Sequence, residues 1–135
     1  MLRCRVKLVV KMVWKGVIIE ESLEDATLLD MVVEVGYSES LLEGEDEKGE
    51  MHFHEFELQD DKKDKFVYAA KNLVKQGWYL HICKEKTMIV IFNNKVFEFG
   101  EDETDKLEEA RNYGLSIGII RDQMPFENLI KDPYY

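Results

Sequence analysis

Two prolines and eight glycines in 135 residues leave few breaks in this chain. That scarcity argues against linkers and low-complexity tracts and for dense regular structure. The two cysteines, Cys4 and Cys83, are too few and too far apart in sequence to make a disulfide framework. Reduced thiols are the simpler state, so a cytoplasmic location is expected. No apolar run approaches the roughly 18 residues that a membrane-spanning helix requires. The basic start Met1-Leu2-Arg3-Cys4-Arg5 runs into Lys7, Lys11 and Lys15, which break up the apolar core that a secretory signal needs. A Gly-rich phosphate loop, a serine nucleophile elbow and a recognisable cysteine-nucleophile motif are all missing.

What is present is charge, unevenly distributed. Net charge is −10. Residues 1–19 carry five cations and no anion, and residues 20–61 carry sixteen carboxylates against Lys48 alone. Residues 62–135 balance at twelve of each sign. So acidic a chain is repelled by phosphate backbones, and no nucleic-acid partner is expected. No membrane partner is expected either. The 34% charged content, rich in Glu and Lys, is compatible with a thermophilic source. With 45% hydrophobic residues, a chain of this length can bury about two-thirds of its unfolded surface without a disulfide or metal staple.

Hydrophobic periodicity divides the chain into short elements. Residues 2–14 alternate apolar and mostly basic, the pattern of a half-buried strand. Lys15-Gly16 reads as a turn, with Val17-Ile18-Ile19 returning as a second strand and Lys11 facing Glu20. Ser22-Leu23-Glu24-Asp25 resembles a helix start, with Ser22 as cap and Gly36 as terminator, although residues 31–35 also suit a strand. Residues 37–43 and 50–58 suit a hairpin across the acidic turn 44–49. Residues 62–76 form an amphipathic helix with a stripe of Phe66, Ala69, Ala70, Leu73 and Val74, ended by Gly77. A strand over 78–83 follows, then a hairpin of 88–92 and 95–99 across Asn93-Asn94. A last helix, capped by Asp102 or Thr104, turns Leu107, Ala110, the stem of Arg111, Gly114 and Ile117 inward. Gly114 suggests the close approach of another backbone, and Gly118 ends the helix. Met124, Phe126, Leu129 and Ile130 can clip the irregular end onto the core.

The expected fold is a single α+β domain over 1–135. Its order is β-β-α-β-β-α-β-β-β-α, with about three helices packed on a largely antiparallel sheet. Glu21-Ser22-Leu23-Glu24-Asp25, Gly77-Trp78-Tyr79, Asn94-Lys95-Val96-Phe97 and Tyr113-Gly114-Leu115-Ser116-Ile117-Gly118-Ile119 resemble a small family of uncharacterised prokaryotic proteins. That resemblance implies no activity and carries over no functional residue.

Two constellations bear on chemistry. His52 and His54 share one face of a strand, as do His81 and Cys83. If the two strands were neighbours with matching faces, the four side chains would hold a zinc ion and leave a position open for water, with Glu55 or Tyr79 assisting. The alternative is four half-buried, hydrogen-bonded residues beside aromatics. Arg3, Arg5 and Lys7 could bind a phosphate or carboxylate, or pair with the acidic middle of the chain. The acidic turn lacks the ligand spacing of a calcium loop. Trp14, Trp78, Tyr79, Phe92, Phe97 and Phe99 suit a core better than a ligand cavity. The function expected is therefore a non-catalytic binding or protein-interaction module, with pairing of an edge strand as its route to a homo-oligomer and no required cofactor. The alternative is a metal-dependent or small-molecule enzyme built on the His/Cys set, with zinc as its ion.

Overall fold

In the computed structural model, which describes residues 13–40 and 50–135, the segment around Gly16 is one unbroken strand. β1 (Val13–Ile19) does not turn at Lys15-Gly16. It runs between β3 (Met51–Gln59) and β4 (Leu80–Lys84), antiparallel to both. The glycine signals something other than a turn. A Cβ at Gly16 would overlap the His81 carbonyl oxygen and come within 2.9 Å of Phe56 Cζ. Glycine is there because a neighbouring backbone and an aromatic ring occupy the space of a side chain. The proposed pairing of Lys11 with Glu20, the early part of the first strand, the turn 44–49 and the basic trio Arg3, Arg5 and Lys7 lie outside the described residues.

The sheet has six strands in the order β2-β3-β1-β4-β5-β6, and every neighbouring pair is antiparallel. The architecture is α+β. β2 (Val33–Ser40) pairs with β3 as the acidic hairpin predicted from sequence. The strand alternative for residues 31–35 is thus correct in part, and Gly36 lies within β2 rather than ending a helix. The stretch before β2 is made of 3-10 turns at Glu20–Ser22 and Ala26–Met31. Asp25, not Ser22, caps the second turn by accepting the Thr27 N–H at 3.0 Å. The Ser22 hydroxyl instead donates to the Ile19 carbonyl at 2.6 Å.

β5 (Thr87–Phe92) joins β4 through a two-residue turn, Glu85-Lys86, with both residues at positive φ. Neither is the Gly, Asn or Asp that such a turn favours, which hid it in the sequence. β6 (Lys95–Gly100) closes the sheet across Asn93-Asn94, where Asn94 takes the positive φ.

Helices and turns pack on both faces of the sheet. On the first, Trp14, Ile18, Phe56, Leu58, Leu80, Ile82, Ile89 and Ile91 pack under α1 (Lys63–Leu73), whose Phe66 and Ala70 are fully buried. Phe56 and Phe66 meet with ring centroids 5.5 Å apart. On the second, Cys83, Met88, Val90, Phe92 and Phe99 lie under α2 (Thr104–Ser116) and the tail, which includes the one-turn helix α3 (Phe126–Leu129). Met124, Phe126, Leu129 and Ile130 are all buried, as the sequence suggested. Neither Asp102 nor Thr104 caps α2; Glu103 holds that position and accepts the Gly100 N–H at 2.9 Å. Gly114 makes room for a side chain, Met124, and not for a backbone. Arg111 buries its guanidinium as well as its stem, between Glu108, Glu127 and the Phe126 ring. No helix among the described residues is long and apolar enough to cross a membrane.

Gly16→Ala should destabilise the protein by roughly 1–3 kcal/mol, the usual penalty for overpacking a core. Urea unfolding checks this. An unchanged midpoint would mean that β1 is not held against Phe56 and His81 in this way.

Candidate functional site

Strand parity decides which candidate ligands can meet. Directly paired residues in an antiparallel sheet project to the same face, and successive residues project to opposite faces. Ile18 pairs with His54, and Gly16 pairs with both Phe56 and Ile82, so His52 and His54 belong to the first face. Val17 pairs with His81 and Lys15 with Cys83, so these belong to the second. β1 lies between the two pairs, and the sheet lies between their side chains. The four do not come together. Glu55, opposite Val17, is also on the second face.

His81 and Cys83 make structural bonds. The buried His81 ring donates from Nε2 to the Pro133 carbonyl at 2.8 Å, and burial lowers its pKa, so the ring is neutral. Cys83, 2% exposed, donates its thiol to the Leu129 carbonyl at 3.4 Å. Burial pushes that thiol up to about 12, far from the thiolate needed by a metal ligand or a nucleophile. The Tyr79 hydroxyl donates to the Gln123 carbonyl at 2.6 Å. Together with Tyr134, whose hydroxyl donates to the Phe56 carbonyl at 2.9 Å, these residues hold the tail across β4, β1 and β3.

On the first face, His52 and His54 sit among carboxylates that the sequence did not connect to them. A β-bulge between Glu34 and Gly36 is responsible. In regular alternation, Glu34 and Tyr37 would point to opposite faces. The extra residue puts Glu34, Tyr37 and Glu39 on one face, opposite Phe56, His54 and His52. The 3-10 turn after β1 adds Glu20 and Glu21. His54 has Glu34 at Nδ1 and Glu20 at Nε2, the latter at 2.9 Å. Burial opposes its charge, but the two carboxylates outweigh burial and raise its pKa. An imidazolium donates to both at once.

Glu21 grips His52 twice, accepting its main-chain N–H at 2.8 Å and bonding ring Nδ1. That ring bond raises the His52 pKa. Burial would raise the Glu21 carboxyl, yet the bonds from His52 hold it below its usual value. His52 Nε2 turns toward Glu39 at 3.9 Å, and the Tyr37 ring stacks on His52 with centroids 6.3 Å apart. Coordinating atoms of Glu39, Glu50 and His52 lie within 4.8 Å of one another.

The second face holds a cleft of about 540 Å³. Val17, Ile19 and Phe53 form its floor where the sheet is not covered by α2. Trp78 precedes β4 on one wall, and Ile119 and Ile120 follow α2 on the other. Asp122, Gln123 and Tyr135 bring polar groups to its rim. Trp78 and Tyr79, which the sequence assigns to a core rather than a cavity, line this cleft, and Ile119 and Ile120 carry no sequence signal of one. No protein-family model, curated protein or solved structure matches the chain.

The lowered His81 pKa has a defined effect on stability. Unfolded histidine titrates near ~6.5, so on acidification the unfolded chain takes up this proton first. The His81 contribution is complete above that pH and is lost as pH falls below it. The stability of the native protein minus that of His81→Gln should therefore be constant above about pH 7.5 and shrink toward pH 5. Paired urea titrations measure the difference, and a constant difference from pH 8 to 5 would contradict a neutral buried ring.

Proposed function

We propose that this protein is a non-catalytic binding module whose ligand occupies the cleft on the second face. The observation that carries the reading is the cleft itself. At about 540 Å³ it falls within the ordinary size range of small-molecule sites. It has an apolar floor and walls with a few polar groups at the rim, the division of labour expected of such sites. Ile120 stands 54% exposed at its edge, an apolar surface that a ligand would cover.

The chemistry around the cleft supports binding over catalysis. Hydrogen bonds to main-chain carbonyls occupy His81, Cys83 and Tyr79, and burial pushes each pKa away from the neutral range that acid–base work needs. The ligand class follows from shape and charge. A flat apolar body suits the aromatic and branched walls, and the net charge of −10 together with Asp122 at the rim disfavours anions. A neutral or cationic molecule with a hydrogen-bond donor fits best.

Indole is a suitable first probe, followed by other neutral bicyclic compounds of similar size. In methyl-resolved NMR, saturable shifts are expected at Ile19, Ile119 and Ile120, with a dissociation constant of about 0.1–1 mM for so small a probe. Ile120→Asp should abolish them while leaving the remaining spectrum in place. A series that produces no saturable shift at these methyl groups would refute the reading.

A further inference from the structure

We propose that Glu39, Glu50 and His52 form a binding site for a divalent cation of zinc type on the first face, remote from the cleft. The argument begins with placement. Glu39 is directly opposite His52 in the β2–β3 ladder. Glu50 stands two residues before His52 at the entry to β3. The bulge in β2 is what gives Glu39 this face. One imidazole and two carboxylates are donors that zinc accepts, and they leave a fourth position for water.

The imidazole is already set up for coordination. Metal-bound histidines usually have their second ring nitrogen bonded to a carboxylate or carbonyl, which fixes the tautomer and the ring plane. Glu21 does this at His52 Nδ1 and also binds the His52 main-chain N–H, while Nε2 is left facing Glu39. Tyr37 supports one side of the ring. His54 is not a ligand, because Glu34 and Glu20 occupy both of its nitrogens.

Distance and charge agree with this assignment. Donor atoms about 2 Å from a tetrahedral ion lie roughly 3.3 Å from one another. The three donors are within 4.8 Å of one another, and two belong to exposed glutamates that can close the remainder by changing rotamer. Five carboxylates, of Glu20, Glu21, Glu34, Glu39 and Glu50, crowd this face. Among the described residues, the ion pairs that these carboxylates make are with His52 and His54 alone. A divalent ion would neutralise charge that no lysine or arginine among the described residues pairs with.

The test uses the full chain carrying Cys4→Ser, stripped with chelator and titrated with zinc chloride by calorimetry. One ion per chain is expected at micromolar affinity. Glu39→Gln and Glu50→Gln change exposed side chains, so the fold should survive, and each should weaken binding at least tenfold. Glu21→Gln should weaken it about tenfold through the ring orientation. Glu57→Gln, on the opposite face, should leave it unchanged. Manganese provides a second readout, with paramagnetic broadening centred on the His52 and Glu39 amides. Absence of a one-to-one isotherm, or binding equally tight in Glu39→Gln and Glu50→Gln, would overturn the site.

Discussion

The register of β1 between β3 and β4 is the constraint on which the rest of the molecule depends. Because side chains alternate across a sheet, this one central strand sets which face each residue of its neighbours occupies. A slip of β4 against β1 by a single residue would bring His81 and Cys83 to the face of His54 and send Leu80 and Ile82 to the other. Gly16 helps to hold the register, since only a residue without a Cβ fits between the His81 carbonyl and the Phe56 ring. Trp14, two residues away on the same face, anchors the strand end by donating from Nε1 to Asp60 at 2.8 Å. Lys84 binds the same carboxylate at 2.8 Å and lies over the Trp14 ring. Packing and hydrogen bonding therefore select the same alignment, which is the agreement between levels expected of a foldable sequence.

The edge at β2 shows a second constraint at work. An exposed strand edge invites pairing with another chain, and natural sheets blunt such edges with charge and bulges. β2 has both: Glu34 and Glu39 on one face and a bulge between Glu34 and Gly36. These same features collect carboxylates around His52 and His54. A local cluster of like charge costs stability unless cations join it, and here the imidazoles supply part of that charge. The raised histidine pKa values are the electrostatic sign of that arrangement.

Much of the secondary structure was legible because it rests on local pattern. β3, α1, the β5–β6 hairpin and α2 each show their period over enough residues to be read directly. The errors fall where a distant contact overrides a local signal. Gly16 looks like a turn in sequence and is a contact point in space. Glu85-Lys86 carries no turn signal in sequence and is a turn, because two ordinary residues adopt positive φ there. The segment after Ser22, expected as a helix, is made of 3-10 turns, the second of which buries Leu28 under α1. The candidate site was half legible. The His-x-His and His-x-Cys spacings reveal which residues share a strand face, but not which strand lies between them. The bulge that recruits Glu39 has no sequence mark beyond Gly36.

The tail explains why the two faces differ in character. α1 and the 3-10 turns close the first face over β1, β3 and β4. On the second, α2 covers β5 and β6 but stops at Gly118, whose φ of +95° ends the helix. Residues 119–135 then cross toward β3, held by carbonyl groups that accept from Tyr79, His81 and Cys83 and by Tyr134, which donates to β3. A tail pinned at separate points along an irregular path cannot fill the sheet as densely as a helix does. Among the described residues, the part left unfilled is the cleft over Val17, Ile19 and Phe53. Buried polar residues that resemble catalytic groups in sequence are thus the ties that hold its wall, and the cleft and the tail are two consequences of the same short helix.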